Sequence, residues 1–141
     1  MANETLLLVE DDVDIRELIR YNMEREGYKV IACPSAEQAK DVLAKKVPDL
    51  ILLDLMLPDS DGVSFLRMLR SNRDLMNIPV VILTSSEDSE DRLQCEKLGI
   101  SSYIVKPFNE EKFLIVIRRL KSLALALEAA QCSDEPANPA D

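Results

Sequence analysis

Strand-length apolar runs alternate along this chain with amphipathic segments of helix length, and that alternation restricts the fold more than any other property of the sequence. Thr5 to Val9, Val30 to Ala32, Asp49 to Leu53, Pro79 to Leu83 and Tyr103 to Val105 are the strand candidates. Leu6-Leu7-Leu8-Val9, Leu50-Ile51-Leu52-Leu53 and Val80-Val81-Ile82-Leu83 are apolar without interruption, the mark of strands covered on both faces. A helix between each strand and the next signals βαβ units, hence an α/β fold with a mostly parallel sheet.

The helices have readable ends. Val13 to Glu26 is the first, with Val13, Leu18 and Ile19 as core candidates and Gly27 as its stop. Ser35-Ala36-Glu37-Gln38 has the spacing of a capping box, which predicts a second helix running to about Lys45. Val63 to Ser71 and Asp88 to Leu98 follow, the latter closed by Gly99. Asn109 caps a final helix that continues to about Ala130, and Pro136 and Pro139 then mark a flexible end. The division is one domain over residues 1–127, long final helix included, and an acidic, proline-containing tail over 128–141. A chain of 141 residues can bury a proper core in one domain without staples.

Composition removes several classes of function. The net charge is −9, and Glu128, Asp134, Glu135 and Asp141 in the tail supply four of those charges with no base beside them. Lysines and arginines are scattered, which argues against direct nucleic-acid binding. The longest apolar stretches are too short to span a bilayer, so no membrane insertion is expected. Cys33, Cys95 and Cys132 are odd in number and far apart, and no signal peptide precedes the first strand, which together point to a reducing cytoplasm. The absence of histidine rules out Ser-His or Cys-His nucleophile pairs, histidine-containing metal sites and an internal phosphohistidine.

What remains is concentrated where strands end. Strand one runs into Glu10-Asp11-Asp12, strand three into Asp54, strand four into Thr84-Ser85-Ser86 and strand five into Lys106-Pro107. Parallel strands share a direction, so these groups gather in one crevice, the usual ligand edge of an open α/β sheet. Carboxylates crowded together repel unless a cation neutralises them. Mg²⁺, which prefers a few carboxylates, water and phosphate oxygens, suits Asp11 and Asp54 with Glu10 beside them. An ammonium from Lys106 and a hydroxyl from Thr84 would then hold the oxygens of a phosphoryl group in transfer, with Asp54 as nucleophile.

Those motifs together resemble the receiver domain of two-component response regulators. The match rests on Leu6-Leu7-Leu8-Val9-Glu10-Asp11-Asp12, on Asp54 with its Met56-Leu57-Pro58-Asp59-Ser60-Asp61-Gly62 turn, on Thr84 and on Lys106-Pro107-Phe108. It extends from about residue 5 to about residue 120. The resemblance implies a doubly wound, flavodoxin-like parallel sheet of five strands in the order 2-1-3-4-5, with five helices. It implies that Asp54 is the phosphoacceptor, Glu10 and Asp11 the acidic pair near Mg²⁺, and the Met56 backbone carbonyl a further metal ligand. Thr84 and Lys106 become the phosphate-binding pair, Tyr103 an aromatic switch coupled to Thr84, and Lys106-Pro107 a cis peptide bond. The implied partners are a sensor histidine kinase or phosphotransfer protein upstream and a protein target downstream. Such a chain catalyses its own Mg²⁺-dependent phosphorylation and dephosphorylation without being a conventional enzyme.

Each residue also has an ordinary reading. Asp12 is a helix cap, Asp59 and Asp61 are turn-formers, and Tyr103 is balanced between core packing and switching. An aspartate-nucleophile phosphatase is the enzyme alternative, but Met56 stands where such enzymes carry a second aspartate. A receiver-like binding module that never carries phosphate is the other. Departures from the family pattern add expectations: Ser85 places a second hydroxyl beside Thr84, and Met56, unable to orient water through its side chain, predicts slow self-dephosphorylation. Val116 and Lys112 argue against a charge-paired dimer of the type found in DNA-binding regulators. No output domain is expected, which makes this a stand-alone receiver. The last helix is more apolar than one buried stripe requires, so with Phe113, Ile117 and Leu120 on the sheet, Leu114, Ile115, Leu125 and Leu127 are left for a homodimer or a kinase complex.

Overall fold

The computed structural model describes residues 4–106 together with Arg118, Arg119, Ser122 and Ala126. In chain order its elements are β1 (Thr5–Val9), α1 (Val13–Arg25), β2 (Lys29–Cys33), α2 (Ala36–Leu43), β3 (Leu50–Leu53), α3 (Gly62–Ser71), β4 (Val80–Thr84), α4 (Ser89–Leu98) and β5 (Ser102–Val105). All four strand pairings are parallel, in the order β2-β1-β3-β4-β5. Fold class and strand order are therefore as expected, and element ends move by no more than about two residues, the usual fraying of boundaries. Four helices lie among the described residues. Of the fifth, over 109–130, the four described positions are helical and exposed, and Arg119 donates from Nη2 to Ser102 Oγ of β5 at 3.2 Å. Its proposed dimer face, the tail and the Lys106-Pro107 bond lie outside the described residues.

The period of two along each strand divides the core between the faces of the sheet. Leu7, Val9, Ile51, Leu53, Val80, Ile82 and Tyr103 pack with Ala39 and Leu43 of α2, Leu66 and Leu69 of α3 and Cys95 of α4. Leu6, Leu8, Leu50, Leu52, Val81, Leu83 and Ile104 face the other way, onto Ile19 and Met23 of α1. Strand register keeps like with like, Leu7 beside Ile51 and Ile51 beside Val80.

Helix α1 requires a correction. Val13 and Leu18 are 54% and 44% exposed, whereas Ile19 and Met23 are fully buried and Ile15 packs against them. Residues 15, 19 and 23 stand four apart and form one stripe; Val13 lies roughly 200° from Ile15 around the helix and Leu18 roughly 100° from Ile19, outside it. Apolar type without the right phase does not place a side chain in the core. The termini of the helices behave as read: Gly27 and Gly99 both take positive φ just past α1 and α4, where a side chain would be strained.

Gly62 matters for a different reason. It opens α3 directly beneath the loop that follows β3, and a Cβ there would lie 2.3 Å from Leu55 Cα and 2.8 Å from the Asp54 carbonyl oxygen. Both obstacles are backbone, so they cannot rotate away. Gly62→Ala is expected to destabilise the protein by about 1–3 kcal/mol through overpacking and to displace the Asp54 loop; urea unfolding and amide chemical shifts of residues 54–62 report the two effects.

Candidate functional site

The sheet reverses winding between β1 and β3, and the crevice beyond their carboxyl ends is where the polar residues meet. Glu10 follows β1, Asp54 follows β3, Thr84 ends β4 and Lys106 follows β5; all four are buried, Glu10 and Asp54 to 1% and 2% exposure. Lys106 Nζ donates to Asp54 Oδ2 at 2.9 Å and reaches the Glu10 carboxylate at 3.0 Å. The backbone of Lys106 is itself tied to β4, its amide donating to the Thr84 carbonyl at 2.7 Å. Asp11 is exposed at the rim, and carboxylate oxygens of Glu10, Asp11 and Asp54 lie within 4.8 Å of one another.

Burial and charge act against each other in this cluster. Burial pushes the Glu10 carboxyl up from its ordinary 4.5 to about 7, and the neighbouring Asp54 charge adds to the rise; the Asp12 amide and Lys106 only partly offset it. For Lys106, burial works to lower the ammonium, but its bonds to Asp54 and Glu10 outweigh that and hold it above its ordinary value. Two carboxylates and one ammonium, with Asp11 alongside, leave an excess of negative charge and of oxygen donors. That donor set fits a hard divalent cation.

Two loops hold the carboxylates in place. In the first, Asp12 caps α1 by accepting from the Asp14 and Ile15 amides, while its own amide donates to Glu10 Oε2 at 2.9 Å. In the second, the Met56 amide donates to Asp54 Oδ1 at 3.0 Å, so that peptide lies beside the candidate acceptor. Met56 then bridges to Asp61, which does more than the turn-forming expected of it and caps α3 by accepting from the Val63 amide.

Asp59 does more than form a turn. Its carboxylate accepts from the Ala36 and Glu37 amides of α2 at 2.9 and 3.0 Å, and those two bonds hold its carboxyl below the usual range. Ser35 is the cap that the sequence identified, accepting from the Gln38 amide at 3.3 Å, but two further α2 donors are satisfied from a loop more than twenty residues away. Local spacing carries no signal for such a contact. Nor does spacing mark Arg16, whose Nη1 donates to the Glu10 and Asp11 carbonyls at 3.0 and 3.3 Å.

Around Thr84 the ties run toward α4. Thr84 Oγ1 accepts from the Ser86 amide at 3.2 Å, the Ser86 carbonyl accepts from the Tyr103 hydroxyl at 3.0 Å, and Ser86 Oγ donates to Asp91 Oδ2 at 3.1 Å. The Tyr103 ring is in the core, with the Arg92 guanidinium 5.1 Å from its centroid. Ser85 does not face Thr84's contacts; its hydroxyl donates to Met56 Sδ at 3.2 Å and links the two loop tips over the crevice.

Comparison with known proteins agrees with this architecture. The model of the response regulator receiver domain family matches residues 6–118. The phosphate regulon transcriptional regulatory protein PhoB of Pseudomonas aeruginosa is 34% identical over 123 residues, covering 87% of this chain and 52% of PhoB. Among solved structures, the phosphorylated cyanobacterial phytochrome response regulator RcpA superposes with a TM-score of 0.81 at 28% identity, covering 88% of this chain and 95% of RcpA. The Mn²⁺-bound response regulator Rcp1 gives 0.80 at 27% identity over 96% and 99% of the two chains. The chain spans about half the length of the curated relatives it matches.

The raised Glu10 carboxyl sets a pH dependence. A group whose folded pKa lies above its unfolded one stabilises the fold most below the unfolded value, here 4.5, and that contribution is lost as pH rises through about 7. In chelator, the urea midpoint of the wild type should therefore fall between pH 5 and pH 8 by more than that of Glu10→Gln; parallel pH profiles for the two proteins would contradict it.

Proposed function

The chain belongs to the response regulator receiver domain family, and on that premise we propose that it is a phosphoacceptor, taking a phosphoryl group from a partner's phosphohistidine onto Asp54 and signalling through an altered protein-binding face. One observation carries this reading: the buried Asp54 carboxylate stands at the switch point of the sheet with an ammonium at 2.9 Å and two further carboxylates beside it. In the transfer, an Asp54 oxygen attacks phosphorus, the P–N bond to the donor imidazole breaks, and the imidazole leaves with the bonding pair and takes up a proton. A Mg²⁺ ion held by Glu10, Asp11, Asp54 and the Met56 carbonyl would supply charge neutralisation for the phosphoryl oxygens. RcpA, similar to this chain, is described in a phosphorylated form and Rcp1 in an Mn²⁺-bound one, which supports both halves of the proposal.

Thr84 and Lys106 take the phosphate-binding roles. Lys106 is already placed between the carboxylates, so it exchanges part of its contact with Asp54 for a phosphoryl oxygen. Drawing the Thr84 hydroxyl inward removes the acceptor of the Ser86 amide, and Ser86 also holds Tyr103 and Asp91. The change thereby reaches the first turn of α4 and the β5 edge, and the response is a shift in population of a face for a downstream protein. The upstream partner is a sensor histidine kinase or phosphotransfer protein, and the setting is cytoplasmic; no helix among the described residues is long and apolar enough to cross a membrane.

Incubation with a small phosphodonor and Mg²⁺ tests the assignment. Wild type is expected to gain a base-labile adduct and Asp54→Asn none. Continuous phosphate release would favour the phosphatase alternative, and no reaction the phosphorylation-independent module. With Met56 beside the acceptor, slow self-dephosphorylation is expected; an adduct lifetime of only seconds in Mg²⁺ buffer would refute it.

A further inference from the structure

We infer that Arg16 is the positioning residue of the cation site, fixing from outside the crevice the loop that carries Glu10 and Asp11. The reasoning begins with Asp11. Glu10 is held by three contacts, from the Asp12 amide, from Lys106 and by its own amide to the Cys33 carbonyl at 3.0 Å. Asp54 is held by the Met56 amide and Lys106. Among the described residues no group donates to the Asp11 carboxylate, which is exposed, so the course of its backbone decides where its oxygens lie.

That backbone is a tight corner between β1 and α1 that carries three acidic residues in succession, and the carboxylates of two of them, Glu10 and Asp11, lie together with that of Asp54. Their mutual repulsion favours opening it. Arg16, one turn into α1, closes it. Its amide donates to the Asp12 carbonyl at 2.9 Å, and its Nη1 donates to the carbonyls of both Glu10 and Asp11. The Nη1 nitrogen carries two hydrogens, so it can serve both carbonyls while the charge of the guanidinium opposes the local excess of negative charge. The arginine is largely buried, and the carboxylate nearest to it among the described residues, Glu17, is 3.9 Å from Nε, too far to compete as a strong partner. Lys106 thus restrains the acids from within the crevice, and Arg16 restrains their backbone from outside. Neither the guanidinium nor its two carbonyls is a ligand itself; its effect passes through the position of Asp11.

This inference rests on the cation site of the proposed function, and the test separates the two. Isothermal titration with Mg²⁺ alone compares wild type, Arg16→Met and Glu17→Gln, each confirmed as folded by circular dichroism. Removal of an outer partner of a metal site typically weakens affinity about 10- to 100-fold, so Arg16→Met should raise the Mg²⁺ Kd by about tenfold while Glu17→Gln leaves it unchanged. A purely structural arginine would lower the melting temperature and leave the Kd of the folded protein as it was; that result overturns the inference and spares the cation site. Absence of Mg²⁺ binding by the wild type at millimolar concentration overturns both. Should Arg16→Met fail to fold, Arg16→Gln serves instead, since its shorter amide cannot span both carbonyls, and an unaltered Kd there is equally fatal.

Discussion

The ammonium of Lys106 between Glu10 and Asp54 is the contact on which the functional edge of this protein depends. Two carboxylates cannot stay buried near one another without a cation, and a lysine cannot stay buried without anions. The three groups come from the ends of β1, β3 and β5, so the ion cluster ties β5 to the paired strands β1 and β3, from which β4 separates it. Two strand spacings, roughly 10 Å, separate β5 from β3, and the four-carbon stem of lysine covers much of that distance past the compact Thr84. The cluster also remains short of positive charge, and its oxygen donors fit a hard divalent cation.

Around that cluster the helices are attached by two kinds of interaction. Helices α1, α2 and α3 bury apolar residues against the sheet, among them Ile19 and Met23, Ala39 and Leu43, and Phe65, Leu66 and Leu69. Helix α4 buries Cys95, and polar ties supplement it: Ser86 to Asp91 at its start, Arg92 over the Tyr103 ring, and the Arg70 guanidinium on the Leu98 and Gly99 carbonyls at its end. A helix held largely by hydrogen bonds near a charged site is easier to displace than one held by a wide apolar stripe. The chain of bonds Thr84–Ser86–Tyr103 begins at the site and ends on the edge strand β5.

Several of these features were legible in the sequence because they are local or periodic. The uninterrupted run Leu50-Ile51-Leu52-Leu53 requires cover on both faces, and both cores supply it. Asp12, Ser35 and Gly99 act where their types and positions place them, as two caps and a stop, whereas Asp61, a turn-former by its type, also caps α3. Val13 and Leu18 have the apolar character of core residues but not the phase; the four-residue spacing of Ile15, Ile19 and Met23 is what marks the buried stripe. Asp59, by contrast, has the composition of an ordinary turn residue, and nothing nearby in sequence marks the α2 amides as its partners. Arg16 is similar: a helix-surface arginine by pattern, a loop clamp by geometry.

By itself the sequence determined the alternating architecture and the strand-end location of each acid, hydroxyl and ammonium, because burial periodicity and turn chemistry act over a few residues. Tertiary structure alone decided their distances. Whether Lys106 meets Glu10, 96 positions away, or Asp54, 52 away, depends on strand order and register, and so does the reach of Asp59 to α2. Those contacts exist only after the chain has closed long loops, and the free energy that selects them comes from the packed core beneath the site, not from any preference of the residues for one another along the chain.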